Sequence, residues 1–553
     1  MRFFSKRTQT LIASLISVII FFIYPNITQS QEPVPNNKFG IHIISATPDE
    51  SSPAASLVNT NGDWGYITFL IESKDRNENK WQEFFNDLRR RHLIPIVRLA
   101  TKPVNEHWER PYEKEYEAWA DFLDKLNWPV KNRYVVIYNE PNHAKEWGNF
   151  TDPKNYAQVL DQIVTALKNK NQDFFVLNAG LDQAAPHQPP QYYDEELFLK
   201  EMEKTVPGIF NKLDGWSSHS YPNPAFVGSP NAYGRGTVRG WMWELQVLRN
   251  LGLTKNLPVF ITETGWKRNK GLSSEIIGEY LQIAFLNAWS SNQIMAVTPF
   301  LLNYQEPLFE DFSFKNPTNG YYPQYEKIQG MPKISGQPVQ ENKAELLQGE
   351  IYSSIVSGQD YQILLKFKNT GQSIWNSKVK LVTIQGGKEL GIENVTVDKA
   401  VEPGQEYSFN LKLKAPDSGI FKVALNLFNE EKQFDSPNLE FTTEVKAPVI
   451  LVIKSGLKWK KDFSGNYFLT VSGPIGEKVM TVNLNKELEA RFLLPDYAFD
   501  FTLERPYYHL VRLRQTLKPG VNILDFGSLQ PDILTAILKP KQFLLYFDLF
   551  RPS

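Results

Sequence analysis

The stretch "RYVVIYNEPNHAKEWGNFTDPKNYAQVLDQIVTALKN", Arg133 to Asn169, changes period part-way. Its first residues, Tyr134–Tyr138, are apolar and β-branched, and Asn139-Glu140-Pro141-Asn142 then breaks the run, as at the end of a buried strand. Further on, Tyr156, Val159, Leu160, Ile163, Val164 and Leu167 recur at helical spacing. The stretch is therefore a strand, a loop and a helix, with a carboxylate at the strand tip. A charge there costs desolvation free energy unless something uses it.

The same unit repeats on both sides. The other apolar runs between Lys38 and Gly336 are "FGIHII", "WGYITFLI", "LIPIVRLA", "FFVLNAGL", "DGWSSHSY", "LPVFITETG" and "IMAVTPFLL". Amphipathic segments such as "NKWQEFFNDLRRRH" and "SSEIIGEYLQIAFLNAWSSN" separate them. Eight strand–helix repeats predict a (β/α)8 TIM barrel over residues 38–336. An open doubly wound sheet fits less well, because no glycine-rich phosphate loop follows the first strand.

Beyond the barrel the grammar becomes alternating. Tyr361, Ile363, Leu365 and Phe367 alternate with polar residues, as do Tyr407, Phe409, Leu411 and Leu413. Residues 341–447 are expected to form a β-sandwich, and 448–553 a second β-rich domain. Neither holds a cluster of catalytic-type residues, so the chemistry belongs to the barrel.

At the other end, Arg2, Lys6 and Arg7 precede an uncharged, mostly apolar run, Leu11–Tyr24, with small residues at Thr28-Gln29-Ser30. Residues 1–30 read as an export signal and 31–37 as a linker, so the protein is expected to be secreted, periplasmic or on the cell surface. An uncleaved anchor is the alternative. The chain has no cysteine, so no disulfide framework supports it. Asn26, Asn149 and Asn394 lie in N-x-S/T sequons, which matter only in a glycosylating host. The net charge of -1 offers no basic surface for nucleic acid. The seven histidines are scattered without an HExxH pattern, so no metal and no cofactor are expected.

In a TIM barrel the reacting groups sit at the C-terminal ends of the strands. Those ends offer His42, Arg98, Asn139, Glu140, Asn178, Asp182, His219, Tyr221, Glu263 and the segment from Phe300 to Tyr304. Among these candidates the glutamates are Glu140 and Glu263. Three strands apart, they can face one pocket across the mouth, which is the minimum apparatus for glycoside hydrolysis.

Three motifs sharpen this. "YNEPN" at strand four, "HSY" at strand six and "ITETGW" at strand seven, in that order, make the barrel resemble the clan A retaining β-glycosidases. The "NTGQSIW" segment after the barrel resembles Ig-like modules appended to exported enzymes. The resemblance implies Glu140 as acid/base and Glu263 as nucleophile. It implies that Asn139 bonds the sugar 2-hydroxyl, and that His219 and Tyr221 support the nucleophile, with His219 orienting either Tyr221 or Glu263. Two departures stand out: strand two ends "TFLIES" without the usual arginine, and strand eight reads "TPFLLNY" without the usual tryptophan. Arg98, through a bidentate pair with a carboxylate, and Trp266, as a flat sugar platform, are expected to stand in for them. His42 is a further candidate for substrate binding.

The expected function is thus an exported retaining hydrolase of a poly- or oligosaccharide. The alternative is a non-catalytic carbohydrate-binding or surface scaffold protein on a glycosidase-like barrel. In either case the partner is carbohydrate, with surface attachment through the β-domains. Glucan, mannan, xylan and galactan hydrolases share the two carboxylates, so the sugar stays open. So do internal against terminal cleavage, and hydrolysis against transglycosylation. The Gly/Pro-rich segment 222–240 is expected to shape the mouth.

Overall fold

The computed structural model describes residues 37–547, apart from 270, 319, 350, 448, 463, 474–475, 485–490, 495–497 and 519. The export signal and nearly all of the linker lie outside the described residues. The chain divides into two compact units, Met1–Gln340 and Glu341–Ser553.

The first unit is a (β/α)8 barrel. Its strands are β1 (Gly40–His42), β2 (Gly65–Glu72), β3 (Leu93–Ala100), β4 (Arg133–Val136), β5 (Phe174–Leu177), β6 (Trp216–His219), β7 (Val259–Glu263) and β8 (Ile294–Val297). Strands β1 to β5 pair in order, and so do β6 to β8, all in parallel. Parallel bridges Leu177↔Gly215 and Phe39↔Val297 join the two arcs and close the ring. The helices are α1 (Pro48–Asn59), α2 (Glu78–Arg90), α3 (Glu113–Lys125), α4 (Pro153–Lys170), α5 (Glu195–Thr205), α6 (Gly240–Asn250), α7 (Ser274–Ile283) and α8 (Pro323–Gln329).

Local chemistry explains where the elements begin. Helix α4 starts where the Asp152 side chain accepts from Asn155 N–H and Pro153 supplies a preset first turn. Its Tyr156, Val159, Leu160, Ile163, Val164 and Leu167 form the buried stripe that the spacing predicts. Asn77 and Asp194 cap α2 and α5 in the same way.

Strand alternation divides the barrel into two apolar layers. Tyr66, Ile94, Ile96, Tyr134, Val136, Leu177, Phe260 and Ala296 form one cluster, with Tyr134 and Phe260 rings 5.2 Å apart. The alternate residues, such as Ile67, Phe69, Val97, Leu99 and Val135, belong to the larger cluster shared with the helices. Arg98 follows Ile94 and Ile96 at steps of two on β3, so it shares their face one layer higher. A set of hydroxyls lies near that level: Thr68 donates to Thr298 at 2.9 Å, and Ser217 and Thr262 are 2.7 Å apart.

The register of β6 against β7 slips at the last step. Ser218 faces Ile261, but His219 faces Glu263, so Thr262 is an extra residue. This bulge re-aims the end of β7. Strict alternation from Phe260 and Thr262 would send Glu263 to the helix side, whereas the bulge brings it beside His219.

The second unit is built almost wholly of β-strands. Its first apolar cluster includes Ile363, Leu365, Phe367, Trp375, Leu381, Phe409, Leu411, Val423 and Leu425. Strands Asp360–Asn369 and Glu406–Lys414 alternate buried and exposed residues and pair antiparallel. A second cluster includes Leu451, Ile453, Tyr467, Leu469, Phe501, Leu503 and Leu524. It ends in two short helices, Ile533–Leu538 and Pro540–Tyr546, absent from the β-rich reading of the sequence.

Candidate active site

Glu140 and Glu263 meet at one end of the barrel, with His219 between them. One ligand atom from each of these three residues lies within 4.8 Å of the others. Glu140 follows β4 in a loop where Tyr138 and Glu140 both have positive φ, 68° and 29°. That is a costly conformation for side-chain-bearing residues. The loop is held by Glu140 N–H donating to Gly180 O at 3.1 Å and His143 N–H donating to Glu140 O at 2.8 Å.

Both oxygens of Glu263 are engaged. Oε1 accepts from Arg98 Nη1 at 2.7 Å, and Oε2 accepts from the Tyr221 hydroxyl at 3.1 Å. His219 Nδ1 is 3.8 Å from Oε2. Only 10% of the Glu263 side chain is exposed, and burial alone would raise its pKa. The positive charges of His219 and Arg98 outweigh that and hold the carboxyl below its usual range.

His219 pairs with Glu140. Its Nδ1 lies 2.8 Å from Glu140 Oε1, and Glu140 is the more open carboxylate, at 18% exposed. The hydrogen bond thus goes to Glu140, while Glu263 Oε2 lies 3.8 Å from the same nitrogen and Tyr221 makes its own bond to Glu263. The bulge brings Glu263 beside the same ring, so the ring lies between the two acids. Burial pulls the imidazole pKa down, but Glu263 and the bond to Glu140 pull it up further, so the net shift is upward.

Arg98 is not a bidentate clamp. Its Nη1 bridges two acceptors, Glu263 Oε1 and Asn139 Oδ1, each at 2.7 Å. It lies on the strand next to the one that ends at Asn139, and Glu263 ends β7, so one guanidinium nitrogen links β3, β4 and β7. His42 at the end of β1 is fully buried, and burial pushes it down to about 3. Its ring lies 3.8 Å from Glu263 Oε1.

Trp266 is corrected as a sugar platform. It is 2% exposed, donates from Nε1 to Gly228 O at 2.7 Å, and packs against Tyr280 and Trp289. Gly265, at φ 144°, turns the chain after Glu263. On that side Tyr221, Phe226, Phe300, Phe309 and Phe312 form a chain of edge contacts. Asn178 and Asp182 also serve structure: Asn178 donates to Ser217 O at 3.0 Å, and Asp182 holds the His143 ring at 2.8 Å.

One residue escaped the sequence reading. Glu146, in the turn Ala144–Glu146, lines a cavity of about 20 Å³ with Arg98, Thr101, Trp108, Tyr138 and Asn139. It lies on a loop rather than at a strand tip, so a scan of strand ends passes over it. The segment 222–240 contributes Asn223, Arg235 and Thr237 to an open depression of about 650 Å³, shared with Gln183 and Asp194.

Glu140, His219 and Glu263 also have the spacing of a three-ligand cation site. Arg98 already places a cation on Glu263 at 2.7 Å, so a metal would meet its repulsion there.

The chain matches no protein-family model and no curated protein sequence. Among solved structures it is similar to a family 39 glycoside hydrolase from Bacteroides cellulosilyticus WH2, at 14% identity and TM-score 0.39, over 71% of this chain and 83% of that one. It is similar to a glucosidase from Croceicoccus marinus at 10% identity and TM-score 0.39, over 88% and 95%. A family GH128 endo-β-1,3-glucanase from Sorangium cellulosum gives 11% and 0.36, over 54% and 98%. The barrel assignment rests on its closed strand order, and the functional reading rests on the site.

Proposed function

We propose that the protein is an exported retaining glycoside hydrolase acting on β-linked poly- or oligosaccharide by double displacement. The observation that carries this is the carboxylate pair, with oxygens within 4.8 Å across His219. Oxygens this close are compatible with the roughly 5–5.5 Å between carboxyl groups in retaining enzymes and support that reading over the ~6.5–9.5 Å of inverting ones. The N-terminal pattern Arg2–Ser30 supports export.

The electrostatics give each acid a role. Glu263, held anionic by Arg98 and His219, attacks the anomeric carbon. The departing oxygen takes the proton that Glu140 shares with His219. The bond to the leaving group breaks as the ester to Glu263 forms. Esterification removes the Glu263 charge that helped His219 keep a proton. Glu140 can then accept a proton from water, which attacks the anomeric carbon and releases Glu263 with the original configuration. Asn139, fixed at Oδ1 by Arg98, offers its amide N–H groups to the sugar 2-hydroxyl. A binding-only protein would have no use for a buried anion stabilised by an arginine and a second acid across from it.

A dinitrophenyl 2-deoxy-2-fluoro-β-glycoside tests the reading. The fluorine slows both steps, and the good leaving group keeps the first fast enough for the ester to accumulate. Mass spectrometry should find the sugar on the peptide containing Glu263. Turnover of ordinary glycosides with the label on another residue would overturn the assignment.

A further inference from the structure

Asn139 is gripped at both ends of its amide. Arg98 carries donors only, and its Nη1 is 2.7 Å from one amide atom, which must therefore be the oxygen. The Glu146 carboxyl group faces the amide across the same small cavity, near enough for a hydrogen bond from the nitrogen end to favour its anion. An amide nitrogen has two hydrogens, so one remains once Glu146 is served. Glu146 is itself anchored. Its turn leads into Trp147, which is fully buried and donates from Nε1 to Asn155 at 3.0 Å.

The cavity beside this grip has room for about one water or hydroxyl. Arg98, Thr101, Trp108, Asn139 and Glu146 line it, and Arg98 Nε is buried with no hydrogen-bond partner among the described residues. Polar groups thus surround a small space next to the amide.

We propose that Glu146 is a positioning residue, whose carboxyl group, opposite Arg98, locks the Asn139 amide so that its remaining N–H points at the C2 hydroxyl of the sugar. This rests on the glycosidase reading and names how the site selects a sugar with a 2-hydroxyl. The charges facing Glu146 are Glu140, Glu263 and Arg98, and it also acts on His143, which is paired with Asp182. As a residue Glu146 is only partly enclosed. Its carboxyl end is deep enough that burial, followed by the charge of Glu140, raises it to about 7. The Asn139 hydrogen bond works the other way and favours the anion.

The test compares wild type, Glu146→Ala, Glu146→Gln, Asn139→Ala and the Asn139→Ala/Glu146→Ala double variant. The substrates are the aryl β-glycoside that the enzyme hydrolyses and its 2-deoxy analogue. Glu146→Ala should lower kcat/KM about 10-fold or more on the 2-hydroxy substrate and about twofold or less on the 2-deoxy one. Glu146→Gln should keep more activity, since its amide oxygen still accepts from Asn139. The double variant should match Asn139→Ala alone. Equal losses on both substrates, or losses that add in the double variant, would overturn the proposal.

A second readout stands apart from turnover. The carbon-13 carboxyl resonance missing from Glu146→Gln should titrate near 7 in wild type and higher in Asn139→Ala. An unchanged titration there would overturn the proposal, whether or not any glycoside is cleaved. A wild type that cleaves no glycoside while this titration moves would instead overturn the glycosidase reading alone.

Discussion

Glu263 and His219 shift in opposite directions, and each shift has a pH window. Glu263 is held below the usual carboxylate range, so its ionised form is lost only as pH falls through that lowered value. His219 is raised, so its proton is lost only as pH rises past the usual imidazole range. The first pairing contributes stability above the ordinary carboxylate pKa that disappears on acidification, and the second contributes stability below the ordinary imidazole pKa that disappears on alkalinisation. For catalysis the same signs predict a bell-shaped kcat/KM profile, with the acid limb set by Glu263 and the alkaline limb by the proton on His219. His219→Gln should lower kcat/KM by about 10-fold or more and move the alkaline limb. An alkaline limb left in place would show that His219 does not share the catalytic proton.

At the scale of elements, close approach sets the site as much as side-chain identity does. A Cβ on Gly180, in the loop after β5, would meet the His219 ring well inside van der Waals contact, while Gly180 O accepts from Glu140 N–H. Gly180→Ala should therefore cut kcat/KM by roughly 10- to 100-fold without removing any site side chain, because it displaces the ring. Normal kinetics in that variant would show that the ring can shift at no cost.

The strand ends were legible in the sequence because a polar residue stopping an apolar run is a local signal. This located Glu140 and Glu263, and pointed to Arg98 and Tyr221 close to the same strand ends. Three features were not legible. The bulge at Thr262 is a pairing of β6 with β7 and leaves no mark in either strand alone. Trp266 looks the same in sequence whether it faces a sugar or, as here, packs on α7. Glu146 reaches the site through a turn whose direction depends on Trp147 finding its pocket.

At the scale of the whole molecule, the barrel carries its own core and every site residue. The stretch after α8 belongs to it, since Lys131 N–H donates to Val339 O at 2.8 Å and Gln340 Nε2 donates to Pro129 O at 2.7 Å. A fragment ending at Gln340 should fold and hydrolyse small aryl glycosides with kcat/KM within about twofold of the full chain. A folded fragment with no activity would mean that residues beyond 340 help to build the site. The same division made the fold readable, because the helical period stops and strict alternation begins near one boundary. The two C-terminal helices were not readable, since "ILTAIL" is short and mostly apolar and its periodicity does not distinguish helix from strand.

The central claim is that Glu263 and Glu140 divide nucleophile and acid/base work between them. The most direct measurement is the anomeric configuration, by proton NMR, of the glycosyl azide formed when azide is added to Glu263→Ala and to Glu140→Ala with a dinitrophenyl β-glycoside. Glu263→Ala should give the inverted α-azide, because azide attacks from the vacated side. Glu140→Ala should form the ester, stall for want of a base, and give the retained β-azide. The opposite pairing of configurations would exchange the two roles, and near-native turnover in both variants without azide would contradict the account.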